Sequence, residues 1–130
     1  KTSILLRICK EWILIKLKHI VHGAVVSEIE MTEGEFTIGR NDGNNLQLDG
    51  GGVSGEHAVI TLVADTCIPE MFDITIRDLN STNGTYVNNN AVNEQKIEHG
   101  DYIRFDTYEY KVFDDQSYYG TQTEYHISEE

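Results

Sequence analysis

Apolar and polar residues alternate along this chain in short runs. In "ILIKLK" the residues Ile13, Ile15 and Leu17 fall on one face, and in "VSEIEM" Val25, Ser27, Ile29 and Met31 share a face opposite Val26, Glu28 and Glu30. Further runs are "EFTIG", "HAVITLV", "MFDITIRDL", "GTYVN", "DYIRF" and "YEYKVF". They are rich in β-branched and aromatic residues and separated by Gly and Asn clusters about every eight to twelve positions. From residue 24 onward no stretch follows the helical period of roughly 3.6, so the pattern predicts an all-β sandwich. The N-terminus is less plain. Ile4, Ile8, Trp12 and Ile15 would line one side of a helix ringed by basic residues, which suits a membrane surface or a partner. The seven-residue alternation from Trp12 to Lys18 favours a first strand instead.

These runs set the boundaries. Residues 1–10 read as an N-terminal extension of uncertain structure, 11–114 as one folded domain, and 115–130 as an acidic, polar tail without a core pattern. Thr121 and Thr123 in that tail could accept phosphate, although its composition reads as a solvated segment. At 130 residues and 39% hydrophobic content the chain is long enough for one apolar core. It starts at Lys1 rather than Met, as a piece cut from a longer protein would. Arg7, Lys10, Glu11, Lys16 and Lys18 interrupt the apolar N-terminus, which excludes a secretory signal and a membrane-spanning helix. Cys9 and Cys67 make no disulfide framework or C-x-x-C site and are expected to be reduced, in the cytoplasm or nucleus. The sequons Asn80-Ser81-Thr82 and Asn83-Gly84-Thr85 then read as turns.

Charge narrows the partners. Residues 1–23 hold five of the ten Lys and Arg but one of the 22 Asp and Glu, which leaves 5 basic against 21 acidic residues from 24 to 130. Such a surface repels a nucleic-acid backbone, so no nucleic-acid partner is expected.

The stretch "LQLDGGGVSGEHAVI" carries two false leads. Gly50, Gly52 and Gly55 match a dinucleotide fingerprint, but a strand-like run follows where a helix is required. Ser54 has the look of a nucleophile, yet Glu56 stands where a nucleophile elbow needs glycine. The histidines His19, His22, His57, His99 and His126 form no ligand set, and His19-x-x-His22 with distant Cys9 is a weak zinc pattern. Neither a catalytic residue, a metal nor a cofactor is expected.

Four separated pieces remain: "TIGR" (37–40), "VSGEHA" (53–58), "DLNSTNGTYVN" (78–88) and "EHGDYIRF" (98–105). Each starts or ends a strand, so in a sandwich several can gather at one end. They offer a guanidinium (Arg40), hydroxyls (Ser54, Thr82), an amide (Asn83) and glycine backbones, with almost no carboxylate at the tips and no evident base except His57. That set suits binding an anion rather than transforming it. Asn83 can also pair with both the N–H and the C=O of an extended peptide.

Gly39-Arg40, Ser54-x-x-His57, Asn83-Gly84-Thr85 and Gly100-Asp101, in that order, resemble the forkhead-associated (FHA) domain family over about Glu11 to Phe113. The resemblance implies an FHA-type β-sandwich of two mainly antiparallel twisted sheets, about eleven strands in all, whose loops bind phosphothreonine peptides downstream of a serine/threonine kinase. Arg40, Ser54, Gly55 (through its N–H) and Thr82 would contact phosphate, and Asn83 the peptide main chain. His57 would brace the Ser54 loop, while Gly39 and Gly84 would be backbone positions where a Cβ clashes or a positive φ is needed.

The chain also departs from the family. Gly55 follows the serine where many members carry a basic or polar residue, and Gly52 stands where some carry an arginine that reads an acid three residues beyond the phosphothreonine. An aspartate there should be disfavoured. The run Gly50-Gly51-Gly52 suggests a flexible loop with an entropic cost on binding, and the acidity suggests weak, salt-sensitive affinity. Threonine would be preferred over serine by about fourfold from one buried methyl. A structural or assembly domain that ignores phosphate is the alternative.

Overall fold

Hairpins form where Gly, Asn and His accept left-handed backbone and let period-two segments fold back on each other. The computed structural model describes residues 15–64 and 71–114, which contain eleven strands and no helix. In chain order these are β1 (Ile15–Val21), β2 (Ala24–Met31), β3 (Gly34–Gly39), β4 (Leu46–Gln47), β5 (Ala58–Ala64), β6 (Phe72–Asp78), β7 (Thr85–Val87), β8 (Asn90–Val92), β9 (Glu94–Lys96), β10 (Tyr102–Phe105) and β11 (Tyr108–Asp114). One sheet has six strands in the order β2-β1-β11-β10-β7-β8, the other five in the order β4-β3-β5-β6-β9. β3 and β4 pair in parallel, and every other neighbouring pair in the two sheets is antiparallel. His22 and Gly23 (φ 53° and 81°) close the β1–β2 hairpin, and Asn88 and Asn89 (φ 50° and 71°) the β7–β8 hairpin. Two central residues with positive φ match the right-handed twist of the flanking strands.

The sheets pack through the faces that the alternation marked. Ile15 and Leu17, Ile60 and Leu62, Ile74 and Ile76, Ile103 and Phe105, and Tyr110 and Val112 are all buried. Burial pushes the Tyr110 phenol up to about 12, with a smaller contribution from Tyr108. The face expected on β2 holds only in part. Met31 is buried and Ile29 half-buried, but Val25 and Val26 are 50% and 57% exposed. A register shift at His19/Ile20 breaks the β1–β2 ladder there, and β2 is an edge strand. Alternation marks a strand but not whether anything covers it. The first strand, expected from Trp12 to Lys18, is described from Ile15 and runs on to Val21; Trp12 itself, both cysteines, the extension and the tail lie outside the described residues. The alternating runs did not include β4, β8 and β9, at two or three residues too short to show a period.

The sandwich has two distinct ends. At one, Ile15 pairs with Asp114. At the other, Phe105 pairs with Tyr108 across the β10–β11 hairpin, about 20 Å away along β11 at roughly 3.3 Å per residue. The loops that carry Arg40, Ser54, Thr82 and Asn83 gather at the second end.

Candidate functional site

β3 ends at Gly39, and a Cβ there would lie 2.2 Å from the Gly55 carbonyl oxygen and 2.8 Å from Asn44 Nδ2. Only glycine lets the end of β3 run so close to the loop before β5. Two backbone bonds fasten that approach, from Arg40 N–H to Ser54 O (2.9 Å) and from Asn41 N–H to Gly55 O (3.1 Å). Asn44 Nδ2 adds bonds to Asn41 O and Gly55 O at 2.9 and 3.0 Å. Arg40 donates Nε–H to the Val53 carbonyl at 3.0 Å. This bond aims the guanidinium while the residue stays exposed, so its terminal amino groups form an outward fork.

Ser54 and Thr82 meet across two loops. The Thr82 N–H donates to Ser54 Oγ at 2.9 Å, and the Ser54 hydroxyl lies 3.4 Å from Thr82 Oγ1. Asn83 Nδ2 donates to Gly52 O at 2.8 Å, a second tie between the same loops. Beneath them His57 is fully buried. Its Nδ1 accepts the Ser54 N–H at 3.1 Å and its Nε2 lies 2.8 Å from Gly84 O. That pattern places the proton on Nε2. Phe105 packs edge-on against the ring at 5.6 Å. Both imidazole nitrogens therefore serve backbone groups, and neither is left for the Ser54 hydroxyl, whose oxygen is taken by Thr82.

The β6–β7 loop has its own frame. Asp78 Oδ2 accepts the Ser81 N–H at 3.0 Å, and Oδ1 accepts the hydroxyls of Ser81 (2.5 Å) and buried Thr85 (2.7 Å). Ser81 Oγ in turn accepts the Gly84 N–H at 2.9 Å, with Gly84 at φ 86°. Burial pushes the Asp78 carboxyl up, but the bonds from Ser81 and Thr85 outweigh it and hold the group below its ordinary value. A depression of about 510 Å³ lies at the start of this loop, lined by Arg77, Asp78, Leu79, Asn80, Asn93 and Glu94, and contains none of Arg40, Ser54, Thr82 or Asn83.

The structure thus brings Arg40, Ser54, Gly55, Thr82 and Asn83 to one surface, with Gly39, His57 and Gly84 behind them. Two neighbours lie outside the four pieces. Asp106, at φ 58° in the β10–β11 hairpin just beyond residue 105, brings a carboxylate beside Gly52, where an added Cβ would be 2.3 Å from Oδ1. Tyr108 closes on the glycine run from the same hairpin. A Cβ on Gly50 would meet the Tyr108 ring at 2.9 Å, Val53 is buried, and Val53 N–H bonds to Gly50 O at 3.1 Å. The fourth piece, 98–105, starts at the far end, where Asp101 accepts from Glu98 N–H and Asn88 Nδ2, and only Phe105 reaches the site. Sequence reasoning missed Asn44, Asp78, Ser81 and Asp106. The spacing Asp78-x-x-Ser81 could have signalled the loop frame; nothing local marks Asp106.

A model of the FHA domain family matches residues 36–106, a span that holds all eight of these residues. The chain belongs to the FHA domain family. It is 37% identical over 75 residues to the FHA domain-containing protein FhaA of Mycobacterium tuberculosis, a match of 58% of this chain and 13% of that protein. The chain thus spans a small part of that relative's length. Mycobacterium tuberculosis EmbR in complex with a low affinity phosphopeptide superposes with a TM-score of 0.65 at 29% identity, covering 77% of this chain and 24% of that one. A structure from an analysis of phosphothreonine-dependent FHA domain interactions gives a TM-score of 0.65 at 32% identity, covering 77% and 95%. In this FHA domain no helix among the described residues is long and apolar enough to cross a membrane.

Proposed function

We propose that this FHA domain is a non-enzymatic, intracellular interaction module that binds a phosphothreonine-containing protein made by a serine/threonine kinase. The observation that carries this reading is the convergence of three loops on one surface: the aimed fork of Arg40, the Ser54–Thr82 pair, and Asn83 tied to Gly52. Two terminal amino groups of Arg40 suit two phosphate oxygens, and the hydroxyls of Ser54 and Thr82 suit the others. Gly55 turns its carbonyl toward Asn41 and Asn44, and its N–H is a further donor. Asn83 keeps one amide hydrogen and its Oδ1 for a peptide backbone. The related structures, one with a phosphopeptide and one from a study of phosphothreonine-dependent interactions, support the reading.

Titration calorimetry with an oriented phosphothreonine peptide library tests it. Phosphorylated peptides bind and their unphosphorylated forms do not. Equal binding of both forms favours the phosphate-independent assembly domain.

A further inference from the structure

Asp106 sits at the tip of the two-residue β10–β11 hairpin in left-handed backbone, which Asp tolerates better than most residues. Arg104 Nη1 donates to the Asp106 carbonyl at 3.2 Å, and the Arg104 guanidinium lies over the Tyr86 ring at 4.2 Å. The hairpin tip is therefore held, and its carboxylate fills the space of a missing side chain. A Cβ on Gly52 would lie 2.3 Å from Asp106 Oδ1 and 2.7 Å from Oδ2. Residue 52 is not remote from the binding surface: its carbonyl accepts from Asn83, and Ser54 follows two residues on. The ion pairs among the described residues, Lys16–Glu28, Lys18–Glu28 and Lys96–Asp73, do not involve Asp106. Exposed Asp42, Asp49 and Glu56 in the neighbouring loops add charge of the same sign.

We propose that Asp106 is a specificity-determining residue that selects a basic side chain in the bound phosphopeptide. The inference rests on the phosphothreonine reading above. A phosphate held by Arg40 brings negative charge to a surface that already carries this carboxylate. A Lys or Arg a few residues along the peptide neutralises both, whereas a Glu adds to the repulsion. An exposed pair of this kind changes affinity by about two- to fivefold, and the effect shrinks as salt screens beyond about 8 Å.

The test uses phosphothreonine peptides on an alanine background, with one Lys or one Glu placed in turn at each flanking position, titrated at low salt. The wild-type domain is expected to prefer Lys over Glu by about two- to fivefold at one position or more. In Asp106→Asn, which keeps a residue suited to left-handed backbone, that ratio falls to near one. A ratio near one in the wild type, or an unchanged ratio in the variant, overturns the role of Asp106 while phosphate-dependent binding stands. Failure of every peptide to bind in a phosphate-dependent way instead overturns the phosphothreonine reading, and this inference with it.

Discussion

The Ser54 hydroxyl oxygen accepts the Thr82 backbone N–H at 2.9 Å, so one atom clamps two loops on the surface proposed to bind phosphate. A hydroxyl has one donor and two acceptor sites, so it can donate to phosphate while still accepting from Thr82. Ser54→Ala removes both interactions. Phosphopeptide affinity is expected to fall about ten- to a hundredfold, as for a charge-assisted bond, and stability by about 1 kcal/mol. Calorimetric titration and thermal melting measure the two losses separately.

Arg40 is exposed, and its side chain spends only Nε on the protein. Its replacement by alanine should leave stability within about 1 kcal/mol of wild type, yet abolish measurable phosphopeptide binding. Arg40→Lys restores the charge but not the fork, and is expected to recover only part of the affinity. A lysine variant that binds as tightly as wild type would show that charge alone suffices.

His57 belongs to the frame. His57→Ala leaves the Ser54 N–H and the Gly84 carbonyl without their partners and opens a hole beside Phe105. The expected loss is about 3 to 5 kcal/mol, read from the midpoint of urea unfolding at unchanged slope.

Asp78 gives the fold an acid limit. Its carboxyl is held below its ordinary value of 3.8, so its charged form is favoured in the folded protein. The stabilisation is therefore complete above that value and drains away as pH falls below it. Asp78→Asn should be less stable than wild type at pH 7, and the gap should narrow as pH is lowered below 3.8. Melting curves collected down the acid range check this; a gap that stays constant would assign the loss to packing.

Glycines in the same loops are not equivalent. A Cβ on Gly39 meets a backbone carbonyl at 2.2 Å, whereas one on Gly51 meets nothing within 4 Å. Gly39→Ala should cost at least about 2 kcal/mol and weaken phosphopeptide binding, because the Arg40 and Ser54 loops must part. Gly51→Ala should be neutral or stabilise by up to about 1 kcal/mol. Denaturation midpoints of the pair decide it.

The sandwich was legible because its inner faces are long alternations such as Ile74/Ile76 and Tyr110/Val112, each buried as its period requires. Strands of two or three residues, such as β8, carry no period and take their form from Asn88 and Asn89 in the turn. Arg40, Ser54, Thr82 and Asn83 could be singled out because they bring donor groups between the alternating runs, in pieces that resemble the FHA domain. What holds them was harder to see. The carboxylate of Asp78 works through hydroxyls three and seven residues away, and Asp106 reaches Gly52 across 54 positions of sequence. Asp78 is marked only by its spacing to Ser81, and nothing local distinguishes Asp106 from the many other acids in this chain. The triglycine shows the same limit from the other side: sequence suggests freedom, while Gly50 and Gly52 are small because Tyr108 and Asp106 already occupy the space.

The pairing of Ile15 with Asp114 places the start of β1 and the end of β11 side by side, on the pole opposite the loops. The two strand ends lie about 20 Å along β11 from the hairpin that carries Asp106, at strand spacing. A probe placed at that pole therefore reports on the sandwich without crowding Arg40, Ser54, Thr82 or Asn83.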